Sequence, residues 1–453
     1  MLALTLLAVV GPLAASAAYT PQGRSAELTS RAGQTCTIQT SGSNSTDDSP
    51  AFRDAAKQCA NGGTLLFQEG ADYYFNTPVN ATLNNVDIQL KGNIHLPQNI
   101  TYVQGIVNGS TGGNVWWINL TGDNLNFTGT TNLSTGWVYG YGQQWWDANP
   151  KNGSGIASRP HLWRFNVTNS YISDIKIRKP IAWYVKVVTT LNGHDIDVNN
   201  VFVDAATTPG GGIPFNTDGF DVAAKNVKIN DFTIFNGDDA VTINNGGENV
   251  TVTNGFIGGP GCHGTSIGSL GQAQAELGVI VWFENIKVHD CVYGSRIKTY
   301  LGGQGIVQNV TFANYDVSNT TFPIYLTQNY FNSQTQNGAG VQEGGNFGGR
   351  EDNSSVIIEG VTYKNWKGDI NTYQPGDGSC VTDPCWYDVP GSDGTQAIVI
   401  GCSNSTACSD FKFQNIQVTP QSYAETKINC TNLEPASNPN LGIVCTNGTL
   451  VSA

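Results

Sequence analysis

Apolar positions in this chain alternate with polar ones over short runs and do not recur at helical spacing. From Asn226, "NVKINDFTIFNG" sets Val227, Ile229, Phe232 and Ile234 among polar neighbours. The same texture returns in "NVTVTNGFIGG" from Asn249, "IVWFENIKVHD" from Ile280, "NVTFANYDVS" from Asn309 and "SVIIEGVTYKNWKG" from Ser355. Such runs of β-branched and aromatic residues predict short strands, and their spacing of roughly twenty to thirty residues is that of repeat architectures. Many Asn-Gly and Asp-Gly pairs, among 54 glycines, mark closely spaced turns. A β-sandwich or propeller also has short strands and many turns, but propeller blades repeat about every 40 to 50 residues and carry signatures missing here. The pattern therefore predicts an all-β chain wound as a right-handed parallel β-helix, each coil stacked on the one below around an aliphatic interior. One stretch differs: "DSPAFRDAAKQCA", residues 48–60, gathers Ala51, Phe52, Ala55, Ala56 and Cys59 on one helical face. It is expected to cap the N-terminal end of the coil; helical periodicity is nearly absent after Ala60. No Pro/Ser-rich linker or charge run interrupts the chain, so residues 18–453 are expected to form a single domain.

The first residues fit a different pattern. "MLALTLLAVVGPLAASAAYT" has an apolar stretch from Leu2 to Val10 and an A-x-A site at Ala15-Ser16-Ala17, which reads as a secretory signal peptide over residues 1–17 although its n-region has no Lys or Arg. No later stretch approaches the roughly 18 apolar residues of a membrane span, so a secreted, extracellular protein without a membrane partner is expected. Ten cysteines in such a chain predict disulfides. The short spacings point to Cys36–Cys59, Cys380–Cys385, Cys402–Cys408 and Cys430–Cys445, leaving Cys262 with Cys291. Metal binding competes as a reading of paired cysteines, but the chain has no C-x-x-C or His-x-x-x-His spacing. Sixteen N-x-[ST] sequons from Asn44 to Asn447 predict N-linked glycans.

The net charge of −13 argues against a nucleic-acid partner, because no basic stripe is present to neutralise phosphates. With only 22 Lys and Arg, any two on one face carry information. The acids are also sparse, yet "NTDGFDV", residues 216–222, and "NGDDAV", residues 236–241, hold four aspartates. Asp218 and Asp238 are about one coil apart, so equivalent positions would stack their carboxyls near the inter-strand spacing of roughly 4.8 Å. Crowded carboxylates relieve repulsion when one keeps its proton while another stays ionised. Hydrolysis of a glycosidic bond uses that division. Asn-Gly-Asp-Asp is equally good turn chemistry, and calcium sites also gather aspartates on loops. Further along, "GPGCHGTSIGSLG", residues 259–271, places His263 about one coil after Asp239, and "SRIKT", residues 295–299, places Arg296 and Lys298 one coil later on one strand face. Such residues are ordinary on a solvated surface; stacked above the aspartates they would form a positive site for a sugar carboxylate.

Taken in order and spacing, N-T-D-G-F-D, G-D-D, H-G-x-S-I-G-S and R-I-K resemble the family 28 glycoside hydrolases, the polygalacturonases, from about Trp145 to the C-terminus. Longer phrases, "FNTDGFDVAA", "HGTSIGSLGQ", "GGQGIVQNVT", "YLTQNYFN" and "YQPGDGSCVTDPCWYD", look most like the fungal exo-acting branch, the galacturan 1,4-α-galacturonidases. The resemblance implies hydrolysis of α-1,4-galacturonosyl bonds of polygalacturonate, from the non-reducing end, by an inverting single displacement without a cofactor. It implies Asp238 as general acid, Asp218 and Asp239 as holders of the hydrolytic water, and His263 as a partner of the acid. Arg296 and Lys298 would hold the galacturonate carboxylate, while Tyr330 and Asn216 match substrate-contacting and active-site positions. Asp221 is expected to face away or to fix its own turn. A monomer is expected.

Two positions depart from the common pattern. Ala240 follows the Asp pair where many members have Cys, and Gly261-Cys262 precedes His263 where many have Gly-Gly, so Cys262 is expected to reach Cys291 instead. Exo action needs a cleft closed at one end; the candidate walls are the Trp-rich segment from Trp137 to Trp163 and the insertion from Asn332 to Glu351. Competing functions are an endo-polygalacturonase or rhamnogalacturonan hydrolase of the same family, a calcium-dependent pectate lyase, and a pectin-binding β-helix without activity.

Overall fold

The computed structural model describes residues 33–446 except 114, 150–154, 182–188, 260, 272–275, 301, 331–354 and 373–391. The N-terminal apolar stretch, the Cys380–Cys385 pair and the insertion from Asn332 to Glu351 lie outside the described residues. The chain is a right-handed parallel β-helix: every strand pairing among the described residues is parallel, and all the strands join one continuous sheet.

Corners of the coil are set by residues that tolerate the left-handed backbone region. Asn85, Asn124, Asn169, Asp195, Asn226, Asn249, Ile280, Asn309 and Gly360 occupy one corner on successive coils, all with φ between 49° and 68°. Asn and Asp enter this region at little cost because their short side chains bond locally; Ile280 is the β-branched exception. A second corner stacks Asn254, Asn285, Asn314, Asn365 and Asn415, the amide nitrogen of each of the last four donating to the side-chain oxygen of the one before at 2.9–3.1 Å. The alternating pattern turns Val227, Ile229, Phe232 and Ile234 inward. Inside, Phe283, Phe312, Tyr363 and Phe413 form a column with centroids 5.0, 4.9 and 5.0 Å apart. The column repeats at the strand spacing, and each stacked pair adds roughly 0.5–1.5 kcal/mol beyond burial.

The predicted capping helix runs Ser49–Gln58 with Pro50 at its start, burying Phe52, Ala55 and Ala56. Phe52 packs on Phe67 and Phe75 of the first coils, with centroids 6.0 and 5.5 Å away. Two further helices, Ile100–Asn108 and Gln143–Asp147, correct the expectation of almost no helix after Ala60. The first is announced only by Asn99, whose side chain accepts from the Tyr102 N–H at 3.0 Å, and by Val103 and Val107 four apart.

Disulfides join Cys36–Cys59, Cys262–Cys291, Cys402–Cys408 and Cys430–Cys445. No helix among the described residues is long and apolar enough to cross a membrane.

Candidate active site

One column of the coil brings the candidate residues together. Phe220 pairs with Val241, Val241 with Thr265, Thr265 with Ser295 and Ser295 with Ile324. Residues just before or after these positions therefore meet: Asp218, Asp238 and Asp239, His263, Arg296 and Lys298. In this register the coil is one residue longer than the Asp218-to-Asp238 interval, so Asp218 aligns with Asp239 rather than Asp238; the Gly219 N–H donates to Asp239 O at 2.9 Å. All three carboxylates are nevertheless buried in one group. The buried amide of Asn236 gathers them by donating to the carbonyls of Thr217, Asp238 and Asp239 at 2.9–3.0 Å.

Asp238 is held on both oxygens. Oδ1 accepts from the Asp239 N–H at 2.8 Å and lies 2.8 Å from His263 Nδ1, while Oδ2 accepts from Asn216 Nδ2 at 3.0 Å. Asp239 is held by cations: Arg296 Nη2 donates to Oδ1 at 2.8 Å and Lys298 Nζ to Oδ2. Arg296 also lies 3.1 Å from His263 Nδ1 and 4.8 Å over the Tyr293 ring, and Lys298 lies 5.7 Å from the centre of the Tyr330 ring. Tyr330 is half-buried at the rim of this group, next to Tyr300.

Protonation is divided unevenly. Burial and the neighbouring charges of Asp238, Asp221 and Asp239 push Asp218 well above the usual carboxylate range. Burial would raise Asp238 too, but His263, Lys298 and Arg296 outweigh it and hold Asp238 below that range. Burial and Arg296 press His263 toward its neutral form, so near neutrality Asp238 is supported by the His263 hydrogen bond and the two cations rather than by an imidazolium. Of the two carboxyls, Asp218 therefore holds a proton the more readily. Asp221, expected to face away or fix a turn, is buried and adds its charge to this balance.

Asp238, Asp239 and His263 each offer a ligand-capable atom within 4.8 Å of one another. Arg296 and Lys298 already engage both oxygens of Asp239, so protein cations stand where a divalent ion would otherwise balance the charge.

The tryptophans of the proposed wall are not at a surface: Trp137, Trp145, Trp146 and Trp163 are all buried. The helix bearing two of them instead braces the loop before Asn216, with Gln143 Oε1 and Asp147 Oδ1 accepting from the N–H groups of Thr208 and Gly212 at 2.8 and 2.7 Å. Asn236 and Arg159 belong to this buried group and were missed in the sequence; Asn236 reads as turn chemistry in "NGDDA", and Arg159 lies within the segment from Trp137 to Trp163, of which only the tryptophans were read.

Residues 77–374 match the family model described as glycosyl hydrolases family 28. The chain belongs to that family. It is 44% identical over 407 residues to a protein of Aspergillus terreus described as a probable exopolygalacturonase C, covering 89% of this chain and 90% of the relative. A probable exopolygalacturonase C of Neosartorya fischeri is 42% identical over 453 residues, covering 99% and 98%. Among solved structures, the endo-xylogalacturonan hydrolase from Aspergillus tubingensis superposes with a TM-score of 0.65 at 24% identity, covering 92% of this family 28 chain and all of the other; this likeness shows the shared fold.

Proposed function

We propose that this family 28 glycoside hydrolase is a secreted exo-polygalacturonase that releases galacturonate from the non-reducing end of polygalacturonate with inversion. The observation that carries the reading is the buried group in which three carboxylates on adjacent coils face two cations, Arg296 and Lys298, two coils further on, beyond His263. Relatives named exopolygalacturonases, similar over nearly their whole length, support the exo assignment.

In this reading Arg296 and Lys298 receive the substrate carboxylate, with Tyr330 against the sugar. Asp238 protonates the glycosidic oxygen, while Asp218 and Asp239 orient and deprotonate water on the opposite side of the anomeric carbon. The free site keeps its proton on Asp218, so substrate binding has a second task. A carboxylate arriving at Arg296 and Lys298 offsets the cations that hold Asp238 ionised, and the shared proton moves to Asp238. Asp218 is then the ionised base. No metal or cofactor enters these steps. Secretion and N-linked glycans, supported by the N-terminal apolar stretch and the sequons, belong to the same proposal, as does a monomeric state.

The test is a time course on unesterified polygalacturonate, with products resolved by chromatography, viscosity recorded, and Asp238→Asn as the blank. Galacturonate as the sole early product with slowly falling viscosity is expected. An oligomer ladder with early viscosity collapse would make the enzyme endo-acting; unsaturated products absorbing in the ultraviolet would make it a lyase; action confined to alternating rhamnose-galacturonate would make it a rhamnogalacturonan hydrolase.

A further inference from the structure

We propose that Arg159 is a positioning residue for the acid: it fixes the amide of Asn216 so that the nitrogen end faces Asp238. The inference rests on the hydrolase reading above and adds a residue to its machinery. Arg159 is buried, and its guanidinium donates from Nη1 to the carbonyl of Phe215 and from Nη2 to Asn216 Oδ1, both at 3.0 Å. A guanidinium only donates, so the atom of Asn216 that meets it must be oxygen. The other end of the amide must then be the NH₂ group, which lies 3.0 Å from Asp238 Oδ2. Turning the amide over would set N–H against N–H at Arg159 and oxygen against oxygen at Asp238. Two hydrogen bonds from one rigid planar fork exclude that alternative.

The surroundings are shaped to hold this fork. A Cβ on Gly155 would fall 2.2 Å from Arg159 Nη2, and Gly155 has φ of +96°, so a glycine lets the backbone close over the guanidinium. Burial brings the Arg159 pKa down to about 10, with the charges of Asp238 and Asp218 pulling it back up. It is a cation at working pH and biases the proton balance of both carboxylates. Sequence motifs did not reveal it because 57 residues separate it from Asn216 and the contact is made by a segment outside the stacked column.

The experiment compares Arg159→Met, Arg159→Lys, Asn216→Ala and Asp238→Asn by initial rates of galacturonate release, normalised to folded enzyme, across pH. In Arg159→Met, kcat is expected to fall roughly 10- to 100-fold, as for a displaced catalytic group, with KM changed less than about threefold, and the acid limb of the profile to move to higher pH. Arg159→Lys keeps the charge, so the limb returns while kcat stays low. In an Asn216→Ala background, Arg159→Lys should add little. A merely structural Arg159 would change the folded fraction but not kcat per folded enzyme, the limbs or the additivity, and that result overturns the proposal. Should Arg159→Met fail to fold, Gly155→Ala, which crowds the guanidinium without removing it, replaces it; unchanged kcat and limbs in Gly155→Ala and Arg159→Lys overturn the proposal equally. Full activity in Asp238→Asn would sink the hydrolase reading itself, whereas an inactive Asp238→Asn beside unperturbed Arg159 variants sinks the positioning role alone.

Discussion

Arg296 binds Asp239 across the stacked coils, Nη2 to Oδ1 at 2.8 Å, although 57 residues separate them. Lys298 takes the other oxygen of the same carboxylate. Two buried cations are thus kept in place by one buried acid, so the positive site exists before any substrate arrives. Such preorganisation lowers the reorganisation required on binding an anionic sugar.

In the proposed reading these cations are the source of selectivity for a free carboxylate. Lys298→Met should lower kcat/KM on polygalacturonate by roughly 30-fold or more, the scale of truncating one partner of a buried charge pair. On methyl-esterified substrate the same change should cost much less. Parallel kinetics on both polymers check this; an equal loss on the two would show that Lys298 does not read the carboxylate.

In the proposed mechanism Asp238 is the acid, and its amide analogue retains the shape. Asp238→Asn should lose roughly 10²- to 10⁴-fold in kcat while its thermal midpoint stays near the parent's. Circular dichroism melts run beside the rate measurements separate this from unfolding.

The shared proton sets the pH profile. The proposed mechanism needs one proton on the Asp218–Asp238 pair, so the rate should form a bell: it falls at low pH as the second carboxylate protonates, and at high pH as the shared proton leaves. The apparent pKa values belong to the pair. Because burial and neighbouring charges raise Asp218, the basic limb should lie above the ordinary carboxylate range. A flat rate from about pH 4 to 8 would contradict the division of roles.

Stability carries the same signature with a definite sign. A carboxyl whose folded pKa is raised retains a proton that the unfolded chain releases, so stability falls as pH climbs from the unfolded value of about 4 through the folded one. Asp218→Asn should therefore raise the thermal midpoint near neutrality, and the gain should vanish below about pH 4. Melts at pH 3.5 and 7 test it; a gain of equal size at both would assign the effect to packing.

Cys262 is bonded to Cys291 immediately beside His263, across a sequence separation of 29. Replacing both cysteines by alanine should cost about 3–4 kcal/mol, the loop-entropy value for that span. Denaturant titration measures it, and reduced activity below the unfolding transition would show that the bond also steadies His263.

Much of this molecule was legible without coordinates. The alternating interior and the cap over Ser49–Gln58 are local or periodic, so a linear reading reaches them. Asp218, Asp238, Asp239, His263, Arg296 and Lys298 were likewise readable as one group, because their motifs fall roughly one coil of twenty to thirty residues apart, which converts sequence intervals into neighbouring positions. Only the tertiary structure decided the rest. The register that aligns Asp218 with Asp239 depends on a single residue of coil length, and the Arg159–Asn216–Asp238 chain depends on a loop folding back over the column. The inward packing of Trp145 and Trp146 depends on a helix too short to show periodicity. The raised proton affinity of Asp218 is set by burial and by the charges of Asp238, Asp221, Asp239 and Lys298, and the energy of a buried charge belongs to its surroundings in space rather than to its neighbours along the chain.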